Sequence, residues 1–335
     1  MRYVEQGINK DLVDFIRFLI TENSMYIYKG WLAFDVKDYL SCYRGGWVNL
    51  FYSGDMGQKL ISQLPKMIDT SSKADMYAYA VALYKHGNRM EKDKAYSILS
   101  DLASKNYIPA YRDIGKIYFD GICVTKNYNT AFKWFDKAAR EAYMIAYNDL
   151  AICYFQGLGC VKDYDKGRRL LEEAANEGYG MAIYNIGIGY LKGLYGYPKD
   201  AYMAFDYFKS ASNQFNNLAE YNLAIMYLTG TGCPKNIDMA IKYFRNAAGT
   251  GHNKAANKLG DIYYYGEGTP KDAGKAHAFY LMAAENGDSY GMYSVAYMIL
   301  NGEIYWVDKS VGKQWLKKAA DLGNESAINL LKKIR

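Results

Sequence analysis

The stretch Ala255–Gly287, AANKLGDIYYYGEGTPKDAGKAHAFYLMAAENG, decides the fold. It reads as one helix, a tight glycine loop, a second helix and a glycine stop. Ala255, Leu259 and Tyr263 recur every fourth residue, so they share one helical face. Gly266 follows the last periodic residue and suits a left-handed C′ position, where a missing Cβ removes the steric cost. Asp272 can offer a side-chain oxygen to an unpaired N–H at the start of the second helix. Ala276, Phe279 and the Ala283–Ala284 pair then form the buried face of that helix, and Gly287 closes it.

The same pattern recurs outward in both directions. One glycine column runs Gly87, Gly121, Gly157, Gly193, Gly230, Gly266 and Gly302, with steps of 34, 36, 36, 37, 36 and 36 residues. Three residues before these glycines stand Tyr84, Tyr118, Tyr154, Tyr190, Tyr227 and Tyr263, with Ile299 in the last unit. A small residue sits inside each first helix: Gly115, Ala151, Gly187, Ala224, Gly260 and Ala296. Glycine within a helix costs about 1 kcal/mol against alanine, so close approach of a neighbouring helix is expected there. After the loop come Asn127, Asp163, Asp200, Asn236, Asp272 and Asp308 as expected N-caps. The buried face of the second helix is expected to carry Trp134, Leu170, Tyr207, Tyr243, Phe279 and Trp315. Helices of this length are marginal alone in water, so each pair must be held by the next.

The unit A-x-x-x-L-G-x-x-Y-x-x-G-x-G-x-x-x-D-x-x-K-A-x-x-(aromatic)-x-x-x-A-A-x-x-G resembles the Sel1-like repeat, a relative of tetratricopeptide arrays. Ala255, Leu259, Gly260, Tyr263, Gly266, Gly268, Asp272, Lys275, Ala276, Phe279, Ala283, Ala284 and Gly287 carry the resemblance. It covers residues 76–335, about seven units and a part-helix, and is weakest in 76–109; the unit from Ala182 carries an inserted residue near Tyr195–Tyr197. The resemblance implies an all-α, right-handed α–α superhelical solenoid that binds another protein or peptide as an adaptor or scaffold, with no reaction and no cofactor. It also implies a narrower role, an immunity protein of a bacterium that sequesters a toxin.

Residues 1–75 do not match and are expected to form an N-terminal cap or a small separate domain. Within them, 11–20 has helical spacing, 25–34 is aromatic and β-branched as in an extended strand, and 47–68 is helical in part and broken at Pro65. Residues 327–335 begin one more first helix as a C-terminal cap. The net charge of +6 is mild, and no run of like charges marks a nucleic-acid arm or a polybasic anchor. Charged residues interrupt the first twenty positions, so no signal peptide is read there, and no stretch spans a bilayer. Five cysteines, Cys42, Cys123, Cys153, Cys160 and Cys233, fit reduced thiols in a cytoplasm.

The repeating columns are packing residues, so a site is sought on the opposite face of the first helices, the expected floor of the concave groove. In successive units that face reads Arg112, Lys116, Asp120; Asn148, Ile152, Gln156; Tyr184, Ile188, Lys192; Tyr221, Ile225, Thr229; Asn257, Asp261, Tyr265; Tyr293, Tyr297, Asn301. Apolar and aromatic side chains where solvent is expected mark an interaction surface, and Ile152, Tyr184, Ile188, Tyr221, Ile225, Tyr265, Tyr293 and Tyr297 are the candidate partner-binding residues. The alternative is that curvature, or residues 1–75 folding back, covers them. No catalytic or metal-binding residue is indicated. His86, His252 and His277 lack ligand spacing, and Ser310 with Lys313 lacks the companion motifs of a serine–lysine enzyme. The loops 230–235 and 266–271 follow helices rather than strands, which argues for turns and against phosphate binding. A hydrolytic or peptidoglycan-directed enzyme is the competing class.

Overall fold

The structure is a computed structural model that describes residues 69–334 apart from Phe215, together with Ile61, Ser62 and Pro65. The cap expected over residues 1–75, with its helix at 11–20 and strand at 25–34, therefore lies almost wholly outside the described residues, as does Cys42. Fifteen helices are described, and no strand occurs among these residues. They fall into two compact units, divided between Asp200 and Ala201.

The first unit holds α1 (Lys73–His86), α2 (Arg89–Ser104), α3 (Ile108–Asp120), α4 (Tyr128–Arg140), α5 (Met144–Gln156), α6 (Tyr164–Asn176) and α7 (Gly180–Lys192). The second holds α8 (Ala201–Ser212), α9 (Asn217–Thr229), α10 (Ile237–Gly249), α11 (Asn253–Tyr265), α12 (Ala273–Glu285), α13 (Ser289–Leu300), α14 (Lys309–Asp321) and α15 (Glu325–Lys333). Within each unit every helix packs chiefly on its neighbours in sequence. Stability of this kind accumulates along one dimension.

The loop glycines do what their column demands. Gly121, Gly157, Gly193, Gly230 and Gly266 cap α3, α5, α7, α9 and α11 in the left-handed region, with φ between 65° and 76°. Gly87 is the exception: its φ is −74° and its backbone is extended, so it shares the column's sequence position but not its geometry. Asn127, Asp163, Asn236, Asp272 and Asp308 each accept an N–H at the start of a second helix, as their column requires. Two further left-handed positions are filled by other residues: Cys123 (φ 54°) and Tyr195 (φ 60°) stand where Gly159, Gly232 and Gly268 stand in their own loops.

At Gly115 and Gly260 the small residue inside the first helix is explained by the second helix of the same repeat. A Cβ on Gly115 would lie 2.5 Å from the Phe135 ring, and one on Gly260 would lie 2.4 Å from the Tyr280 ring. This also corrects the expected buried column. Trp134, Leu170, Tyr207, Tyr243, Phe279 and Trp315 are only half-buried. The deep positions are one residue later, at Phe135, Leu171, Phe208, Phe244, Tyr280 and Leu316. Tyr243 and Phe279 instead stack on Tyr227 and Tyr263 at ring separations of 5.7 and 5.8 Å.

Candidate functional site

The face opposite the packing columns is presented by α3, α5 and α7 in the first unit and by α9, α11 and α13 in the second. Of the eight candidate partner-binding residues, Ile152, Tyr184, Ile188, Tyr221, Ile225 and Tyr293 are half-buried. Tyr265 and Tyr297 are exposed, at 59% and 37%. The leading position of the triplet sits deeper than the other two: Asn148 and Asn257 are buried. Asn148 accepts a hydrogen bond from Asn185 Nδ2 at 2.6 Å, and Asn257 Nδ2 donates to Asp288 at 2.8 Å.

In the first unit the charged end of this face is internally paired. Arg112 Nε donates to Asp149 at 2.6 Å, and its Nη1 donates to Asp113 at 3.0 Å. Tyr77 donates its hydroxyl to the other Asp113 oxygen at 2.7 Å. Lys116 and Asp120 form a 3.1 Å pair one helical turn apart.

In the second unit the face becomes tyrosine-rich. Tyr221 stacks on His252, with ring centres 4.6 Å apart. His252 caps α11 by accepting the Ala255 N–H on Nδ1, and burial holds its pKa below the usual imidazole value, so the neutral ring needed for that bond is favoured. Further along, Tyr280 and Tyr290 both donate to Asp261 Oδ1 at 2.9 Å, while Lys258 reaches Asp261 Oδ2 at 3.2 Å. Tyr264 donates to Glu303 at 3.0 Å. Tyr264 and Tyr265 meet edge to face at 4.9 Å, and Tyr293 and Tyr297 lie 5.9 Å apart. Burial, then the Glu303 bond and charge, push the Tyr264 hydroxyl up to about 12. Those of Tyr280 and Tyr290 are raised by burial and then by Asp261.

Sequence reasoning placed Asp261, Tyr265, Tyr293 and Tyr297 on this face but missed Tyr264, Tyr280, Tyr290 and Glu303. These four come from three helices and a loop, and no single periodicity joins them. Among the described residues no group of His, Cys, Asp and Glu could hold a metal ion. The four described cysteines are free, with Cys153 buried and Cys160 half-buried. No helix among the described residues is long and apolar enough to cross a membrane. A surface cleft of about 410 Å³ lies between α10 and α11, lined by Asp238, Lys242, Arg245 and Tyr263 among others, away from the face described above.

The Sel1 repeat family model matches residues 108–143, 145–179, 180–214, 217–252, 253–288 and 289–324. The chain belongs to the Sel1-repeat family. Its all-α architecture of antiparallel helix pairs is that of a Sel1-repeat solenoid, and the repeats counted from the sequence between residues 108 and 324 coincide with the matched segments. Among solved structures, the Sel1 repeat protein from Oxalobacter formigenes is similar at 26% identity and a TM-score of 0.61, covering 73% of this chain and 99% of that one. The protective antigen c5321 of uropathogenic Escherichia coli, which displays the same repeat fold, is similar at 23% identity and a TM-score of 0.57; the match covers 80% of this chain but only 57% of that protein. The immunity protein Pa5087 from Pseudomonas aeruginosa gives 16% identity and a TM-score of 0.45, over 65% of this chain and 83% of that one, a likeness too slight to argue from. No curated protein matches the sequence.

Proposed function

We propose that this Sel1-repeat protein is a non-catalytic scaffold that holds another protein on the face of its first helices opposite the packing columns, the expected groove floor. The observation that carries this reading is the accessibility of its aromatic and aliphatic residues. Ile152, Tyr184, Ile188, Tyr221, Ile225 and Tyr293 keep part of their surface open, and Tyr265 and Tyr297 are exposed. Tyrosine gives a large contact area at low entropic cost and is enriched where interfaces bind tightly. The repeated residues of this chain supply packing and caps, and this face lies outside them.

The triple substitution Tyr184→Ser, Tyr221→Ser, Ile225→Ser tests the reading. Capture of the native partner, followed by pull-down from the source cell, should be lost while the far-UV circular dichroism is unchanged. Retained capture, or loss of helicity in place of capture, overturns it. Toxin sequestration is a narrower form of the same reading: the captured protein is then a toxin whose action stops when it is bound.

A further inference from the structure

The first unit shows what fills a tyrosine–carboxylate environment in this chain. Arg112 lies between Asp113 and Asp149. Tyr77 donates to Asp113, and Tyr143 and Tyr179 lie within electrostatic reach of the same guanidinium. The planar cation satisfies two carboxylates at once, one of which also accepts a tyrosine hydroxyl.

The second unit builds the same kind of environment without the arginine. Asp261 and Glu303 hold the hydroxyls of Tyr280, Tyr290 and Tyr264. The Tyr265 hydroxyl lies within electrostatic reach of those of Tyr264, Tyr280, Tyr290 and Tyr293, and Tyr297 is within reach of Tyr264 and Tyr293. The only described cation within 4 Å of either carboxylate is Lys258, on Asp261. Glu303 is half-buried and forms no ion pair among the described residues. Tyr265, Tyr290 and Tyr297 are exposed residues, at 59%, 43% and 37%. Carboxylates that hold the phenol hydroxyls fix the rings in place, and they add negative potential to the negative ring faces.

We propose that the cluster of Tyr264, Tyr265, Tyr290 and Tyr297 with Glu303 and Asp261 is a subsite for an arginine side chain of the bound protein. It rests on the reading of this face as the partner-holding surface. The overall charge of +6 opposes cationic ligands, so affinity for one must be local.

The probe is the peptide acetyl-Arg-Gly-Arg-amide, titrated into the full chain and followed by NMR of ring-labelled tyrosines, with acetyl-Glu-Gly-Glu-amide as its opposite. Saturable binding of the arginine peptide alone is expected, with shifts centred on Tyr265 and Tyr297. Glu303→Gln and Tyr265→Ala should each weaken it about tenfold. Tyr265→Phe, which keeps the ring, should bind as the native chain does, and so should Tyr202→Ala, altered at an exposed tyrosine of α8. Equal affinity for the glutamate peptide, affinity unchanged in Glu303→Gln and Tyr265→Ala, or no saturable binding to the folded chain overturns the proposal. If the arginine peptide fails while the triple variant of α7 and α9 still loses the native partner, only the arginine subsite falls. If that triple variant keeps its partner, the surface itself falls.

Discussion

Ala142 stands where later repeats place Gly178, Gly251, Gly287 and Gly323, and it keeps their left-handed backbone, with φ of 55°. An L-residue with a Cβ pays about 1–2 kcal/mol there. Ala142→Gly should therefore raise stability by about 1 kcal/mol after the added entropy of the unfolded chain is subtracted, read as a higher urea midpoint. Gly260 presents the opposite case. Alanine would gain about 1 kcal/mol in helix propensity, but its Cβ meets the Tyr280 ring at 2.4 Å, and the hydroxyl of that ring is tied to Asp261. Overpacking of about 1–3 kcal/mol wins against a tethered ring. Gly260→Ala should lower the thermal midpoint, and Gly115→Ala should lower it less, because the Phe135 ring has no hydroxyl to anchor it and can slide. The requirement for small residues was readable in the sequence. The atom that imposes it was not, because Phe135 and Tyr280 lie one residue beyond the position that simple spacing selects.

Helix α9 carries an acidic side chain into its contact with α10. Glu220 is buried, and its Oε2 has no hydrogen-bond partner. Burial pushes its carboxyl up to about 7, with a hydrogen bond to Asn246 pulling the other way. In the unfolded chain the group titrates near the ordinary 4.5. Below that value both states are protonated and no cost is felt. Between there and about 7 the folded state alone keeps the proton, so stability falls as pH rises, and above 7 the full cost of roughly 3 kcal/mol remains. Urea midpoints should drop from pH 5 to pH 8, and Glu220→Gln should flatten that slope and stabilise the protein at pH 8. Element boundaries and caps were legible because residue type alone demands them: Asn236 and Asp272 start α10 and α12, and Gly230 and Gly266 end α9 and α11. The left-handed turns at Cys123 and Tyr195 were not, since residues with side chains there give no sign of that backbone. The tyrosine network around Asp261 was legible only in part. Its members are 19 to 39 residues apart, and hydroxyl-to-carboxylate bonds leave no periodic trace.

Across the chain, order is carried from neighbour to neighbour. Phe244 is wholly buried, and in the second unit its loss would open a cavity between α9 and α10. Phe244→Ala should cost about 3–5 kcal/mol. Hydrogen exchange should quicken most in α9 and α10 and least in α14 and α15, because each helix pair leans only on the adjacent ones. Uniform quickening throughout that unit would show all-or-none coupling instead. The repeat period was fully legible from residue 108 onward, since glycines, caps and alanines repeat it together. The division at Asp200 was not: it falls after the loop with the extra residue, where only a single insertion marks the sequence.

The second loop glycine has a wider consequence. A methyl group on Gly159 would strike the Tyr128 carbonyl at 2.2 Å, and one on Gly232 would strike that of Ala201 at the same distance; in both cases the obstructing oxygen belongs to the second helix of the preceding repeat. In these two loops the interval from one repeat to the next is gauged by an absent carbon atom, whereas Cys123 and Tyr195 hold the same position with a side chain. A segment duplicated with that glycine brings its own ruler, and a chain can lengthen by copying without relearning how far apart its rungs must stand.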